Sequence, residues 1–398
     1  GLSAFRNTNI KSILFPASLK QIGRNAFYKC TNLGGYIDLS STNVTVIKSS
    51  LFKQTNITSV SFPASLQEIE YNAFDDCTNL GGLDLSSTNV TQIGNNAFQG
   101  TDITSVSFPT SLNHIGIGVF ARLTNLGGDI NLSNTSVTVI EQSAFTETSI
   151  TSVSFPQSLK HINSGAFGFC TSLEGNVDLS STSVTQIGDD AFSDALKIKG
   201  VSFPTSLKQI GERAFRNCKN LKGPIDLSST NVTVIGADAF AKTNITAVSF
   251  PSSLQHINAR AFEDCANLRG DIDLSSTNVS TIGENFLSST IASVIFPSQF
   301  KTLPRYLFPG ATVTGVIDLG NTKVIEIPDY TFGYSRDIAR SNSPLNVFSI
   351  RFPPSLQRIG NETFLGIITN IINLTYTTVT EIGQRAFKKS EIREIFFP

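Results

Sequence analysis

The stretch NITSVSFPASLQEIEYNAFDDCT, residues 56–78, runs directly into NLGGLDLSSTNVTQIGNNAFQGT, residues 79–101, and variants of this pair fill the chain. The first member places apolar side chains at Ile57, Val60 and Phe62, then Leu66, Ile69, Ala73 and Phe74. The second places them at Leu80, Leu83 and Leu85, then Val90, Ile93, Ala97 and Phe98. Alternate residues of a strand face opposite sides, so Val60 and Phe62 are predicted to enter a core while Ser59 and Ser61 face solvent. Proline fixes φ and has no N–H to give a ladder, so the Pro after Phe62 is predicted to stop the strand and turn the chain. In the second member, SSTNVT offers hydroxyl and Asn side chains that can close the same turn.

Phe-Pro recurs nine times, at Phe15, Phe62, Phe108, Phe155, Phe203, Phe250, Phe296, Phe352 and Phe397, and seven of the eight gaps are 45 to 48 residues. A second Phe, usually preceded by Ala, marks each half-period: Phe5, Phe27, Phe52, Phe74, Phe98, Phe120, Phe145, Phe167, Phe192, Phe215, Phe240, Phe262, Phe286, Phe308, Phe332, Phe364 and Phe387. Both halves open with the L-x-x-L-x-L spacing of a leucine-rich repeat. The predicted fold is a repeat solenoid of about 17 coils of 22–25 residues in two alternating types. Short parallel β-strands form one face, with an irregular or short helical back wall opposite. One coil alone cannot bury enough apolar surface to offset the entropy of ordering it, so stability must come from stacking.

Residues 1–398 read as a single solenoid, regular over 1–285 and more divergent over 286–398. In the divergent part Leu307-Phe308 and Thr331-Phe332 replace Ala-Phe, and an insertion lies within 333–347. Gly1 to Phe5 aligns with Gly94 to Phe98, so the chain opens inside a coil. It ends on a strand, contains no Met, and shows neither a polar cap nor a signal peptide. The expectation is a portion of a longer chain.

Charged residues make up 15% of the chain and the net charge is −1, which disfavours nucleic acid as a partner. Apolar runs are far too short for a membrane span. Cys30, Cys77, Cys170, Cys218 and Cys265 share a register that Leu123 fills once, so they read as buried free thiols. Successive members lie two coils apart, too far for a disulfide, and strung along a line that suits no zinc site. His114, His161 and His256 occupy a register otherwise filled by Gln21, Glu68, Gln209 or Arg358 and are predicted to face solvent. No nucleophile elbow, phosphate loop or H-E-x-x-H pattern is present. The sequence therefore predicts no enzyme, no cofactor and no metal.

Candidates for binding are rows of repeated side chains. Asp38, Asp84, Asp178, Asp226, Asp273 and Asp318 stand between two inward residues, with Asn131 and Asn373 in the same slot. They are predicted to face outward, either keeping the sheet solvated or meeting a basic partner or weakly held calcium, although a spacing of about 10 Å keeps neighbouring members from sharing one ion. The insertion adds Arg336, Asp337 and Arg340, more charge than its surroundings hold. Candidate N-glycosylation sequons occur at Asn43, Asn56, Asn89, Asn131, Asn134, Asn231, Asn244, Asn278, Asn361 and Asn373. Paired serines such as Ser59 and Ser61 form a hydroxyl lattice that also raises ice binding, against which the Asp rows argue.

The segments SLKQIGRNAFYKCTNL, SLQEIEYNAFDDCTNL and SLKQIGERAFRNCKNL resemble the signature of BspA-like, or Treponema-type, leucine-rich repeats over essentially the whole chain. That resemblance implies an exposed or secreted protein of a host-associated bacterium or of a protist such as a trichomonad or an entamoeba. Several such proteins are adhesins. The chain departs from the family by alternating its usual coil with the Cys-free LDLSSTNVTQIG form. Two functions are expected: an extracellular or cell-surface binding module recognising protein or glycan, or a structural subunit that self-associates into an extracellular fibre or coat.

Overall fold

A computed structural model describes residues 1–333 and 344–398, so Arg336, Asp337 and Arg340 lie outside the described residues. The chain divides into two compact units, Gly1–Pro204 and Thr205–Pro398, and each is a parallel β-solenoid. In the first unit Gly34–Asp38 pairs with Asn56–Ser61, Gly127–Asn131 with Ser149–Ser154, and Glu174–Asp178 with Lys197–Ser202. In the second, Lys222–Asp226 pairs with Asn244–Ser249. Each of these pairs shifts register beside a glycine of positive φ: Gly35, Gly128, Gly175 and Gly223, at φ 73 to 82. A side chain is strained at that backbone angle, which is why glycine holds the second position after Leu in LGG, LEG and LKG alike.

The two turn chemistries behave as the sequence predicts. After Phe-Pro, the N–H of Leu66 donates to Pro63 O at 3.0 Å, and the same bond joins Leu19 to Pro16 and Leu112 to Pro109. In the alternate coil, Thr42 closes the turn with its N–H and its hydroxyl, both donating to Leu39 O. Thr88 does the same to Leu85 O.

The back wall contains no helix among the described residues. It begins with a ladder of two-residue strands: Val46–Ile47, Glu68–Ile69, Gln92–Ile93, His114–Ile115, Val139–Ile140, His161–Ile162 and Gln186–Ile187 in the first unit. Gln209–Ile210, Val234–Ile235, His256–Ile257 and Thr281–Ile282 form its counterpart in the second. Every Ile points inward and is buried. Six-residue turns follow, and their conformation explains the missing helix. The residues two before and two after the buried Phe take left-handed angles, as Asn72 (φ 55) and Asp76 (φ 58) do around Phe74. Left-handed residues interrupt a right-handed helix. The turn N–H groups are satisfied by the next coil instead: Phe27 donates to Leu51 O, Phe52 to Ala73 O and Phe74 to Ala97 O, at 2.8 to 3.0 Å.

Inside, the Phe rings form a column. In the first unit, rings from Phe5 to Phe192 lie 5.2 to 5.8 Å apart and within 19° of parallel. The Phe of Phe-Pro closes the column from the side, Phe62 meeting Phe74 edge-on at 6.0 Å. In the second unit the column breaks once. Phe286 stands at 89° to Phe262, because IGENFL aligned with IGNNAF puts Phe in the Ala slot and Leu in the ring slot. The left-handed Asn285 directly precedes Phe286, which takes the Ala slot, and Leu287 bridges Phe262 in the ring slot. Phe286 is thus not a member of the column that its spacing suggested. Phe308 is still tilted by 58° against Phe286, and near-parallel stacking resumes from Phe308 through Phe332, Phe364 and Phe387.

Buried thiols bind the column to its backbone. Cys77 Sγ donates to Phe52 O at 2.9 Å, and Thr55 Oγ1, 3.4 Å from the sulfur, donates to the same carbonyl. Cys170 and Thr148 do likewise at Phe145 O, and Cys265 and Thr243 at Phe240 O. Burial pushes the Cys77 and Cys170 thiols up to about 11 and Cys265 to about 12.

Two substitutions check these constraints by denaturant unfolding. Phe145→Ala should cost about 3–5 kcal/mol, whereas Phe145→Leu, the change already present at Leu287, should cost about 1 kcal/mol. At the exposed left-handed Lys242 (φ 60), Lys242→Gly should leave stability unchanged or raise it. Lys242→Val should lower it by about 1–2 kcal/mol.

Candidate binding surface

The strand face presents one repeated column at the end of each strand. Parallel register sets Asp38 beside Ser61, Asp84 beside Ser107, Asn131 beside Ser154, Asp178 beside Ser202 and Asp226 beside Ser249. Asp38, Asp84, Asp178, Asp226 and Asp273 are exposed, as predicted, and Asp318 is half-buried. Within each of these pairs the acid meets a hydroxyl rather than a second acid, and among the described residues no group of three His, Cys, Asp or Glu side chains is placed for a metal ion.

Each acid also has a local task that the sequence reading did not assign. Asp38 Oδ1 accepts from Ser40 N at 2.9 Å and Ser40 Oγ at 2.6 Å, and Asp226 Oδ1 accepts from the N–H and hydroxyl of Ser228 in the same way. Asp178 does so with Ser180. Asp84, Asp273 and Asp318 accept the N–H of Ser86, Ser275 and Gly320. These are Asx-turns, in which a short side chain replaces a backbone acceptor two residues on. An acceptor oxygen is all the slot requires, which is why Asn131 and Asn373 fill it equally well. The Ser40 and Ser228 hydrogen bonds hold the Asp38 and Asp226 carboxyls below the usual carboxylate range.

Of the ten sequon asparagines, eight are exposed and Asn244 and Asn361 are half-buried. Asn43, Asn89 and Asn231 donate their amides to Ala17 O, Ala64 O and Thr205 O of the preceding coil. His114, His161 and His256 are half-buried and lie one in each of three separate short strands.

The face changes character toward its C-terminal part. There Thr312–Asp318, Asn346–Arg351, Ile368–Asn373 and Glu391–Phe396 pair in one continuous sheet. Ile368–Asn373 lacks the paired glycines of earlier coils, and its register runs unbroken on both sides. Here Phe348 is 60% exposed and Tyr376 is 83% exposed, against 56% for Tyr36 on the regular strand Gly34–Asp38. Sequence reasoning passed over both. The available signal was departure from the repeat, since Phe348 stands where Thr58, Thr104, Thr151 and Thr246 stand.

The sequence profile described as BspA type leucine rich repeat region (6 copies) matches residues 1–127, 91–222, 138–269, 233–351 and 341–398, and so spans the chain. No functionally curated protein matches it. Among solved structures, a leucine-rich repeat protein from Bacteroides ovatus ATCC 8483 is 18% identical with a TM-score of 0.46, covering 95% of this chain and 84% of its own. A leucine rich cell surface protein from Faecalibacterium prausnitzii A2-165 is 19% identical with a TM-score of 0.33, over 88% and 87%. The pneumococcal vaccine antigen PcpA is 14% identical with a TM-score of 0.38, over 88% and 89%.

The Asx-turn assignment makes a prediction for Asp226. Asp226→Ala should cost about 1 kcal/mol and Asp226→Asn close to nothing, measured by denaturant unfolding near neutral pH. A carboxyl held below its unfolded value adds stability above the unfolded pKa and loses it as pH falls through the folded one. Asp226→Asn should therefore also flatten the decline in stability on acidification below about pH 4.

Proposed function

The chain belongs to the BspA-type leucine-rich repeat family, and from that membership we propose that it is a non-enzymatic, adhesin-like binding module working outside the cell or at its surface. It recognises protein or glycan through the strand face. The observation that carries this reading is the contrast along that face. Coils with Ser, Thr and Asp columns give way to a continuous C-terminal sheet with Phe348 and Tyr376 standing out from it. Single exposed apolar side chains are ordinary, but an apolar patch on an otherwise polar face marks an interaction site. The Asp rows, held in their turns at one oxygen, leave the second oxygen for a basic partner. No helix among the described residues is long and apolar enough to cross a membrane.

Monotony of the Ser and Asp columns favours the alternative, a subunit stacked into an extracellular fibre or coat. The two readings separate in one pair of measurements on the purified chain. Saturable binding to immobilised extracellular matrix proteins or intact cells, reduced by Phe348→Thr, together with a constant sedimentation coefficient across concentration, is the expected outcome. Concentration-dependent polymers without saturable binding would replace the binding module with the fibre.

A further inference from the structure

A repeat protein supplies its own reference, because one slot is filled many times in one chain. Three departures from that reference meet in a single cavity of about 410 Å³ in the second unit. The column that is Ser at positions 61, 107, 154, 202 and 249 becomes Arg351. The slot after the conserved-pattern Leu, Ser at 40, 86, 133, 180, 228 and 275, becomes Gly320. The slot that is Ser or Asn from position 41 to 321 becomes Tyr376. All three line this cavity, with Asn373 and Ser349.

The departures fit one another physically. A Cβ on Gly320 would come within 2.5 Å of Arg351 Nε, so the glycine makes room for the guanidinium. Asp318 holds that guanidinium at 3.3 Å, and the Arg351 side chain stays 63% exposed. Asp318 Oδ1 is in turn fixed by Gly320 N at 2.8 Å. Asn373 spends its Oδ1 on the N–H and hydroxyl of Thr375, which orients its amide nitrogen as a donor. Tyr376 adds an exposed ring with a polar tip.

We propose that this cavity is a saccharide-binding site that takes a neutral pyranose unit; the proposal rests on the binding-module reading and names its ligand class. A pyranose has an apolar C–H face for a ring to cover and a rim of hydroxyls, each of which donates and accepts at once. The cavity pairs an aromatic face with side chains that do both: the fork of Arg351 and the amide of Asn373 donate, and the Ser349 hydroxyl accepts. Its volume lies within the range of small-ligand sites, where a few placed polar groups set orientation. The Asp318–Arg351 pair leaves no net charge to favour a simple anion. An extended peptide has no free strand edge here, because Asn346–Arg351 and Ile368–Asn373 are each paired on both sides.

The test uses the full chain made in a host without N-glycosylation, so that Asn373 stays bare, and a panel of methyl pyranosides of glucose, galactose, mannose, N-acetylglucosamine and N-acetylgalactosamine. Saturation-transfer NMR should show at least one of them contacting the protein through its ring C–H protons. Reverting each departure to the residue of the regular coils, Tyr376→Ser, Arg351→Ser and Gly320→Ser, should weaken that sugar about tenfold or more while the melting temperature stays near that of the parent. Gly320→Ser is the discriminating variant, since it leaves every polar group in place and only displaces Arg351. Silence from every sugar, or affinity unchanged in all three variants, overturns the proposal. Cell or matrix binding that persists in that case leaves the binding module standing without this site; loss of both removes the two together.

Discussion

In coil after coil the ladder phenylalanine donates its N–H to a carbonyl of the coil that follows, as at Phe27, Phe52, Phe74, Phe145 and Phe240, and the surrounding architecture is built around that bond. Phe74 donates to Ala97 O at 2.8 Å across the coil boundary, not to a residue of its own turn. A backbone that sends its polar groups outward along the stack cannot coil into a helix, which needs them for itself. Left-handed residues on either side of the ring, Asn72 and Asp76 around Phe74, hold the peptide planes in that direction. They cost strain in exchange for two satisfied faces per turn. With the planes fixed, successive rings stack nearly parallel and the thiol and hydroxyl of the Cys and Thr slots find the same carbonyl.

This dependence also explains which substitutions the array absorbs. IGENFL carries Phe in the Ala slot and Leu in the ring slot, yet Phe262 still donates to the carbonyl of that Ala slot, now Phe286 O. The ring column broke and the hydrogen bond did not. Stacked aromatics contribute on the order of 1 kcal/mol beyond their burial, whereas an unmet buried N–H costs at least as much, so the ladder of peptides yields last.

The strands, the turn at Phe-Pro, the buried thiols and the outward Asp column were legible because each follows from a period of two or from one residue with a fixed φ. The back wall was not. Ala-Phe flanked by polar residues has no periodicity that tells a helical turn from a left-handed one, and residues as different as Lys29, Arg213 and Phe169 adopt the same positive φ. Phe286 was misread for a related reason, since spacing cannot tell a ring slot from an Ala slot one residue away. The Asp rows were found but half understood, because the Ser two positions on gives no hint by itself that it donates back. Gly320, Arg351 and Tyr376 were hidden by the habit of reading repeats for what recurs. Each is unremarkable alone, and only the register of neighbouring strands brings them to one place.

The cysteines bear on where such a chain can exist. Thiol–disulfide exchange begins from the thiolate, and a thiol pushed up to about 11 is ionised in about one molecule in ten thousand at neutral pH. Cys77, Cys170 and Cys265 are also fully buried, each already donating to a phenylalanine carbonyl. Their sulfurs are withdrawn from redox chemistry by both ionisation and access. An odd set of five thiols, which would ordinarily invite scrambled pairing in an oxidising medium, is shut away from solvent once the coils have closed over it.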